Sequence, residues 1–466
     1  MTSAVARSIS RRSADQILSP LLSTPDHLVG GRLFSMIATE VLHRRFLECS
    51  GTSTDTRSIE RGSLFFALKG PTFDANTFAA TALTKGARYA VVDDPAVASD
   101  ERYLVVPDVL QALQDLARHH RRSFQIPVIG ITGTNGKTTT KELLHAVLSS
   151  TFPTLATIGN LNNHIGVPLT LLRLTAEHRF AIIEMGANKP GDIAELSAIA
   201  EPTHGLITNI GKAHLEGFGG FEGVLRTKTE LYTFVRAHGG SLFVNADDPL
   251  LTEHAKGAQC ITYGSNAGAD TFGELAGGGP FLQLSFRGVD GSTRNAPMKL
   301  IGSYNLPNAL AAIAIGQHFG VPDERTVEAL CSYRPGNNRS QFTDTGRNHL
   351  ILDAYNANPT SMAAALQNFA SMSSDLPKLA ILGDMLELGP TAAEEHRAII
   401  SLVRKLGIEA HYVGPQFAEV LDGHGAPAHP NADALLAALQ QEPVRERLIL
   451  LKASRGTKLE TVVPVL

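Results

Sequence analysis

The fold of the central part of this chain is decided by the stretch Gly130-Ile131-Thr132-Gly133-Thr134-Asn135-Gly136-Lys137-Thr138-Thr139-Thr140. An apolar run at 126–129 precedes it and predicts a buried strand, and residues 141–148 have apolar side chains at helical spacing. A glycine-rich turn between a strand and a helix lets backbone N–H groups approach phosphates. Its lysine would span the outer phosphates, and its threonine hydroxyl would lie where Mg²⁺ binds. The stretch is therefore interpreted as a phosphate-binding P-loop, in a variant form because Ile131 stands where the strict Walker spacing has glycine.

Length and composition limit the class of protein. A chain of 466 residues is expected to form two or three domains of about 150 residues each. The net charge of −4 gives no electrostatic case for binding nucleic acid or a membrane surface. No apolar run approaches the roughly 20 residues of a membrane-spanning helix. Three separated cysteines, Cys49, Cys260 and Cys331, suit a reducing cytoplasm and are expected to be small buried residues.

The order of apolar runs and turn residues predicts an α/β protein of three domains. We expect a small α/β domain at 36–118, a central domain with a mainly parallel sheet at 119–334, and a Rossmann-like doubly wound domain at 335–466. Residues 1–35 contain Arg7, Arg11 and Arg12 among serines but no signal-peptide pattern. They are interpreted either as a mobile extension or as a mis-assigned start, with translation beginning at Met36.

Individual elements are predicted from the same patterns. The predicted strands are 64–68 and 89–92; 126–132, 180–185, 204–210, 241–245 and 259–263; a hairpin of 281–286 with 298–301; and 349–354, 378–383, 410–413 and 447–452. The predicted helices include 77–86, 108–121 and 306–318, and Asn337-Asn338 is interpreted as a linker.

Three clusters near predicted strand ends of the central domain are candidates for chemistry. Glu184 ends an apolar strand, where a carboxylate is costly unless a cation or hydrogen bonds stabilise it, so it is either a metal ligand or an anchor for a helix N-terminus. His214 follows another strand and is either a ligand or a surface histidine, since Mg²⁺ prefers oxygen. Lys228 lies in a charged helical segment that by itself indicates a solvated face.

Asparagines form a second group of candidates. Asn160, Asn162 and Asn163 crowd one segment, which suits either tight turns or a polar ligand. Asn305 and Asn308 precede or open a predicted helix, where they would either cap the helix or contact a base edge.

Several long segments, in this order, resemble the Mur ligases, the ATP-dependent amide ligases of peptidoglycan assembly. They are Thr54-Asp55-Thr56-Arg57, Phe66-Ala67-Leu68-Lys69-Gly70, Gly133-Thr134-Asn135-Gly136-Lys137-Thr138, Glu184-Met185-Gly186-Ala187, Pro190-Gly191-Asp192-Ile193, Tyr355-Asn356-Ala357-Asn358-Pro359, Gly383-Asp384-Met385-Leu386-Glu387-Leu388-Gly389 and the segment 452–455. The resemblance covers about residues 40–466. Some of these segments are similar in particular to the family member that acts last, joining D-alanyl-D-alanine to UDP-N-acetylmuramoyl-tripeptide.

The resemblance implies a function and roles for named residues. The chain would be a cytoplasmic, monomeric ligase that uses ATP and Mg²⁺, with small-molecule substrates, no nucleic-acid partner and no membrane insertion. The UDP end of the substrate would bind Asp55, Thr56, Arg57, Leu68 and Lys69. ATP would bind Gly133, Thr134, Asn135, Gly136, Lys137, Thr138, Thr139, Asn305, Asn308, Arg339 and Asp353. Magnesium would be held by Thr138, Glu184, His214 and a carbamylated Lys228, and Lys137, His214 and Lys228 would be catalytic.

Other functions remain open on the sequence. The chain could instead add a single amino acid, although it lacks the Asp-Asn-Pro-Arg segment of the diaminopimelate- or lysine-adding ligase. A folate or cyanophycin-type ligase is less consistent with a loop that reads Gly-Lys-Thr-Thr. A nucleotide-binding scaffold without ligase activity is the alternative from another class, and substrate-dependent phosphate release would separate it from a ligase.

Overall fold

The structure is a computed structural model, and it describes residues 26–29, 32–277, 279–336, 339–421 and 427–466. The chain divides into two compact units, Met1–Ala112 and Leu113–Leu466. Within the described residues, no helix has both the length and the apolar character needed to cross a membrane.

The first unit is built on a small parallel sheet. Its strands β3, β4, β7 and β8 are hydrogen-bonded in that order, with every pairing parallel, and α1 and α2 accompany them. The elements are β1 (Asp26–Val29), β2 (Arg32–Ser35), α1 (Thr39–Leu47), β3 (Thr52–Ser53), β4 (Leu64–Phe66), β5 (Lys69–Gly70), β6 (Phe73–Asp74), α2 (Ala79–Thr84), β7 (Tyr89–Val92), β8 (Tyr103–Val105) and, crossing into the second unit, α3 (Val109–Arg122).

The segment predicted to be a mobile extension or a mis-assigned start is only partly described. Strands β1 and β2 lie inside it and pair in an antiparallel hairpin, whereas residues 1–25 lie outside the described residues. The linker predicted at 337–338 also lies outside them. Helix α3 runs through the boundary predicted at residues 118 and 119, so the domain bounds stay a prediction.

The larger sheet of the second unit has nine strands in the order β10-β11-β9-β12-β13-β14-β15-β16-β17. It is parallel from β10 to β15 and ends in an antiparallel hairpin of β16 and β17. The strands are β9 (Val128–Thr132), β10 (Thr154–Ala156), β11 (Phe180–Glu184), β12 (His204–Ile207), β13 (Ser241–Asn245), β14 (Gln259–Gly264), β15 (Thr271–Leu275), β16 (Phe281–Arg287) and β17 (Thr293–Ile301). The helices are α4 (Lys137–Ser149), α5 (Gly166–Leu171), α6 (Asp192–Ala200), α7 (Leu215–Phe218), α8 (Phe221–Ala237), α9 (Pro249–His254), α10 (Leu306–His318) and α11 (Asp323–Ser332).

The core of this sheet explains why β9 is apolar along its length. Every residue of β9 is buried, as is typical of a parallel strand covered on both faces. Ile129 and Ile131 share one apolar cluster with Leu144 of α4 and Ile313 of α10. Each such side chain contributes about 1.5–3 kcal/mol when removed from water, so this packing fixes the position of the turn that follows β9.

The second sheet of this unit has six strands in the order β18-β19-β23-β20-β21-β22, parallel except for β18. Apolar clusters cover both of its faces, with Ile351 and Leu450 in one cluster and Leu350 and Leu451 in the other. This alternation is the doubly wound arrangement. The elements are β18 (Gln341–Asp344), β19 (His349–Asp353), α12 (Pro359–Ser371), β20 (Lys378–Gly383), α13 (Ala392–Leu406), β21 (Glu409–Val413), α14 (Pro415–Val420), β22 (Ala428–His429), α15 (Ala432–Gln441) and β23 (Leu448–Lys452).

The predicted α/β fold class is confirmed, and each predicted strand corresponds to an observed one. The strand predicted from residue 126 begins at Val128, because Pro127 has no N–H to donate to the sheet. The expectation for the cysteines is wrong in part, since Cys260 is exposed and Cys49 and Cys331 are only half-buried.

Candidate functional site

The glycine-rich turn lies at the carboxyl edge of the nine-stranded sheet. The strands β11 and β12 flank β9, so the chain leaves β9 at the point where the strand order reverses. Gly133 has φ of 142° and Gly136 has φ of 81°, values that side-chain-bearing residues rarely adopt. A Cβ at Gly133 would also overlap the Thr208 hydroxyl, and one at Gly136 would lie 2.6 Å from Asn308 Oδ1. Both positions therefore require glycine.

Lys137 is the first residue of α4 and folds back over the loop. Its Nζ donates to Gly133 O at 2.7 Å and to Thr134 O at 3.1 Å. Burial lowers the pKa of Lys137, and the charge of Glu184 opposes that shift. The ammonium group thus stands over the loop at the N-terminus of a helix, a position that favours phosphate.

Glu184, the last residue of β11, is an almost fully buried carboxylate with one unused oxygen. Its Oε1 accepts from Thr138 Oγ1 at 3.2 Å and from Asn162 Nδ2 at 2.9 Å. Its Oε2 is buried and has no hydrogen-bond partner. Leaving a buried carboxylate oxygen unpaired is costly, so this atom is suited to contact a cation. The alternative of a helix N-terminal anchor is not what the contacts show, since the bonded groups are side chains.

The donor set around Glu184 fits magnesium. Among the residues that the structure describes, no group of three His, Cys, Asp or Glu side chains is placed to hold a metal. Mg²⁺ does not need such a group, because it commonly takes one or two carboxylates and completes its six ligands with waters and substrate phosphates. Thr138 Oγ1 and Glu184 Oε2 are oxygen atoms of the kind that Mg²⁺ accepts as ligands.

His214 and Lys228 approach the same space from α7 and α8. His214 has φ of 49°, and its Nδ1 pairs with the carboxylate of Glu387. Burial lowers the pKa of His214, and Glu387 opposes that shift. Lys228 is 3% exposed, and its Nζ lies 5.6 Å from the centroid of the Phe218 ring. The interpretation of the Lys228 segment as a solvated face is therefore wrong for this side chain. The His214 side chain is 28% exposed, so both interpretations of His214 stay predictions.

Among the described residues, no carboxylate contacts the Lys228 amine, although the charges of Asp192 and Glu230 act on it from a greater distance. Within the described ranges its Nζ forms no hydrogen bond and no ion pair at contact distance. Burial, followed by the charge of Lys137, lowers the pKa of Lys228 well below its usual value. A buried lysine without a bonded carboxylate is stable either as the neutral amine or after a modification that adds an acidic group to the side chain.

These side chains line one cleft of about 790 Å³. The sequence-predicted residues that the structure brings together in it are Gly133, Thr134, Asn135, Gly136, Lys137, Thr138, Thr139, Glu184, His214, Lys228, Asn305, Asn308, Arg339 and Asp353. The cleft lies between the carboxyl edges of the two sheets of the second unit, so it receives groups from both.

Asn305 and Asn308 have a different local role from capping. Asn305 precedes α10 but makes no side-chain cap; its Nδ2 donates to Ile301 O at 2.8 Å. Asn308 Nδ2 donates to Asn305 Oδ1 at 2.8 Å, and Asn308 Oδ1 accepts from Thr140 Oγ1 at 3.0 Å. The capping alternative is wrong, and the Asn308 amide instead joins α10 to Thr140 of α4.

Asp353 and Arg339 reach the cleft from the six-stranded sheet. Asp353 and Lys452 end the neighbouring strands β19 and β23, and Lys452 Nζ donates to Asp353 Oδ2 at 2.6 Å. The guanidinium of Arg339 lies 3.5 Å from the centroid of the Tyr355 ring. A stacked guanidinium is pre-organised for an anion, as expected of a nucleotide-binding arginine.

Sequence reasoning assigned no role to Asn358, which the structure places against the loop. Asn358 Nδ2 donates to Asn135 Oδ1 at 2.7 Å. The available signal was its position before Pro359, since Asn followed by Pro is typical of a helix N-cap. That signal predicts the cap but not the contact with a residue 223 positions away.

The residues expected to bind a UDP group lie in the first unit. Asp55 and Thr56 follow β3, while Leu68 and Lys69 follow β4, so all lie near the carboxyl edge of its parallel sheet. Arg57 donates to Asp55 from Nε at 2.9 and 3.0 Å and from Nη2 at 2.7 Å. These hydrogen bonds lower the pKa of Asp55 to about 2. Lys69 forms an ion pair with Asp93 at 2.9 Å.

Three family models match successive parts of the chain. They are described as "Mur ligase family, catalytic domain", "Mur ligase middle domain" and "Mur ligase, glutamate ligase domain", and they match residues 48–121, 131–316 and 338–455. Among curated proteins, the UDP-N-acetylmuramoyl-tripeptide–D-alanyl-D-alanine ligase of Bacillus subtilis is 35% identical over 427 residues, covering 89% of this chain and 92% of the relative.

Solved structures of MurF are similar to this chain over most of its length. MurF from Acinetobacter baumannii has a TM-score of 0.81 and 32% identity, with 95% of this chain and 99% of that chain covered. MurF ligase from Thermotoga maritima in complex with ADP has a TM-score of 0.79 and 25% identity, with 90% of this chain and 97% of that chain covered.

Proposed function

The chain belongs to the Mur ligase family, and from this we propose that it joins D-alanyl-D-alanine to UDP-N-acetylmuramoyl-tripeptide at the expense of ATP. The relatives that cover most of the chain carry that activity in their names. The observation that best supports this chemistry is that the glycine loop with Lys137 lies beside the buried carboxylate of Glu184, which has one oxygen without a hydrogen-bond partner. Such a cleft is suited to a nucleoside triphosphate and a divalent cation.

ATP is assigned to the cleft as substrate. The loop residues 133–139 would hold its phosphates through backbone N–H groups and the Lys137 ammonium. Arg339 would also reach the phosphates, and Asn305, Asn308 and Asp353 would contact the rest of the nucleotide, since all four residues line the same cleft.

Mg²⁺ is assigned to Thr138, Glu184, His214 and Lys228, the last as a carbamate. Formation of the carbamate joins the Lys228 amine to CO₂ and releases a proton, which replaces a cation with an anionic oxygen donor. The burial of Lys228 without an acceptor supports this assignment, together with the resemblance noted from the sequence. When bound, Mg²⁺ would neutralise negative charge on the phosphate oxygens.

The reaction has two steps. A carboxylate oxygen of the tripeptide attacks the γ-phosphorus of ATP, ADP leaves, and an acyl phosphate forms. The amine of D-alanyl-D-alanine then attacks the activated carbonyl, phosphate leaves, and the amine proton is lost. Lys137 and the loop N–H groups stabilise charge on the transferring phosphoryl group. Orientation of the reactants contributes up to about 7–11 kcal/mol in favourable cases.

The UDP end of the substrate is assigned to Asp55, Thr56, Arg57, Leu68 and Lys69. These residues lie near the carboxyl edge of a parallel sheet, where open α/β sheets bind ligands. The monomeric state and a location in the cytoplasm are part of the same proposal.

The decisive experiment measures phosphate release with ATP, Mg²⁺ and UDP-N-acetylmuramoyl-tripeptide, with and without D-alanyl-D-alanine. We expect release that requires the dipeptide and a product with the mass of the pentapeptide. Release with single amino acids but not with the dipeptide would move the chain to another ligase step. ATP binding without release for any acceptor would support the scaffold alternative.

A further inference from the structure

Two arginines share one tyrosine ring at the carboxyl edge of the six-stranded sheet. Arg339 Cζ lies 3.5 Å and Arg455 Cζ lies 5.4 Å from the centroid of the Tyr355 ring. Tyr355 follows β19 and Arg455 follows β23, and these two strands are neighbours. The neighbouring strands therefore bring Tyr355 and Arg455 together, and Arg339 stacks on the same ring.

In the part of the chain that the structure describes, neither guanidinium donates a hydrogen bond or an ion pair to a carboxylate. The nearby Lys452 is paired with Asp353 at 2.6 Å, so that carboxylate is already engaged. Two stacked arginines without an acid form a site for an anion.

The two arginines face different surroundings. Arg339 lines the nucleotide cleft, and its charge contributes to the lowered pKa of Lys137. It is therefore assigned to the phosphates of ATP. Arg455 is exposed and does not line the cleft, so an anion on its guanidinium would lie outside the phosphate position.

We propose that Arg455, stacked on Tyr355, binds the terminal carboxylate of the incoming D-alanyl-D-alanine. This inference rests on the proposed function and adds the group that recognises the acceptor. The dipeptide must place its amine at the acyl phosphate, and its carboxylate then lies at most about 7 Å away in an extended chain. Arg339 Cζ and Arg455 Cζ lie 3.5 and 5.4 Å from the centroid of the same Tyr355 ring. The distance between the two Cζ atoms therefore cannot exceed the sum of these values, which is of the same order as the length of the dipeptide. The planar guanidinium matches a carboxylate in two parallel hydrogen bonds.

The test pairs an enzyme variant with a substrate variant. Wild-type enzyme, Arg455→Ala and Arg455→Lys are assayed with D-alanyl-D-alanine and with D-alanyl-D-alanine amide, whose terminus is uncharged. Wild-type kcat/KM should favour the acid by about 10-fold or more, the factor expected for charge-assisted hydrogen bonds from an exposed guanidinium to a carboxylate. Arg455→Ala should lower kcat/KM for the acid to the value for the amide, mainly through KM, while activity on the amide stays the same. Arg455→Lys should recover part of the preference.

The control is Arg397→Ala, an exposed arginine on α13 of the same sheet domain, which should keep the wild-type preference. A preference for the acid that survives in Arg455→Ala would overturn the proposal. So would an equal loss on both acceptors with a raised KM for ATP or for the UDP-tripeptide, which would assign Arg455 to a phosphate or to a tripeptide carboxylate. Failure of the proposed function is distinct from these results, because it would appear in wild-type enzyme as no turnover with either acceptor.

Discussion

The side-chain amides of Asn135 and Asn358 bond to each other and join the phosphate-binding loop to the six-stranded sheet. Asn358 Nδ2 donates to Asn135 Oδ1 at 2.7 Å, and Asn135 Nδ2 donates to Asn358 Oδ1 at 3.4 Å. Asn358 is also the N-cap of α12, where its Oδ1 accepts from Ser361 N at 2.9 Å. One side chain therefore stabilises a helix and positions the loop that is proposed to hold ATP.

These two roles of Asn358 can be separated by substitution. Asn358→Ser keeps a capping oxygen but is too short to reach Asn135, whereas Asn358→Ala loses both interactions. We expect Asn358→Ala to lower the free energy of unfolding by about 1 kcal/mol more than Asn358→Ser, because both variants lose the bonds to Asn135 and only Asn358→Ala also loses the cap. Both should weaken ADP binding by a similar factor, about 5-fold for the loss of one hydrogen bond worth roughly 1 kcal/mol. Urea unfolding and ADP titration measure the two effects, and unchanged ADP binding by Asn358→Ser would contradict the positioning role.

Lys137 is the charge that the loop presents to a triphosphate. Lys137→Ala should lower kcat for phosphate release by at least about 100-fold, the effect of removing one group that stabilises a transition state. The fold should persist, because the lysine bonds only two carbonyls of its own loop, Gly133 O and Thr134 O. Circular dichroism checks the fold in the same preparation. Near-normal turnover would refute the P-loop assignment.

His204 links stability to pH at a place away from the cleft. It begins β12 and packs 5.1 Å from the Phe319 ring and 5.9 Å from the His318 ring. Burial, and secondarily His318, lowers the pKa of His204 to about 4. In the unfolded chain this histidine therefore becomes protonated as the pH falls below about 6.5, whereas in the native state it becomes protonated only near pH 4. Stability is full above pH 6.5 and falls as the pH drops through this window.

The matched variant is His204→Phe, which keeps an aromatic ring and removes the titration. Over the window from pH 6.5 to 4 the wild type should lose about 1–2 kcal/mol more unfolding free energy than the variant, with allowance for partial exposure of the ring. Urea unfolding at several pH values measures this, with His238→Asn as the control at an exposed histidine. Parallel curves for wild type and His204→Phe would show that His204 does not carry the effect.

The sequence predicts the strands of both parallel sheets because buried parallel strands are apolar at every position, as in β9. The strands β10, β15, β18 and β22 of these two sheets were missed, since none of them is buried at every position. The loop was predictable because one local stretch contains its glycines, lysine and threonine. Its strand–turn–helix context could be read from neighbouring residues alone.

Long-range partners were not predictable from spacing. The bond from Thr140 Oγ1 to Asn308 joins residues 168 positions apart, and only the packing of α10 on α4 brings them together. Lys228 shows the same limit, because its segment has the composition of a solvated helix. Its burial beside the Phe218 ring in the cleft follows from tertiary packing rather than from the composition of its segment.

Glu184 is predicted to link metal binding to stability. Glu184→Gln preserves shape but removes the charge on the unpaired Oε2. The Mg²⁺ concentration for half-maximal phosphate release should rise by about 10-fold or more, as for loss of an important metal-site contact. Without metal the unfolding midpoint should not fall, since a buried unpaired charge has been removed. An unchanged Mg²⁺ requirement would exclude Glu184 as a ligand.

Lys228 gives the sharpest test of the metal site, because its proposed function requires a carbamate rather than the amine. Lys228→Ala should lower kcat by about 10–100-fold, as expected for loss of a group that holds or orients a metal. A short-chain carboxylic acid such as acetate should restore part of the activity, since its carboxylate can enter the space vacated by the side chain and supply the missing oxygen donor.

Arg226→Ala, at an exposed position on the same helix, should be fully active and insensitive to acetate. Phosphate release across an acetate series at fixed ionic strength measures the rescue. Full activity of Lys228→Ala would show that Lys228 is not a metal ligand, and a loss that no carboxylic acid restores would indicate that it acts as an amine.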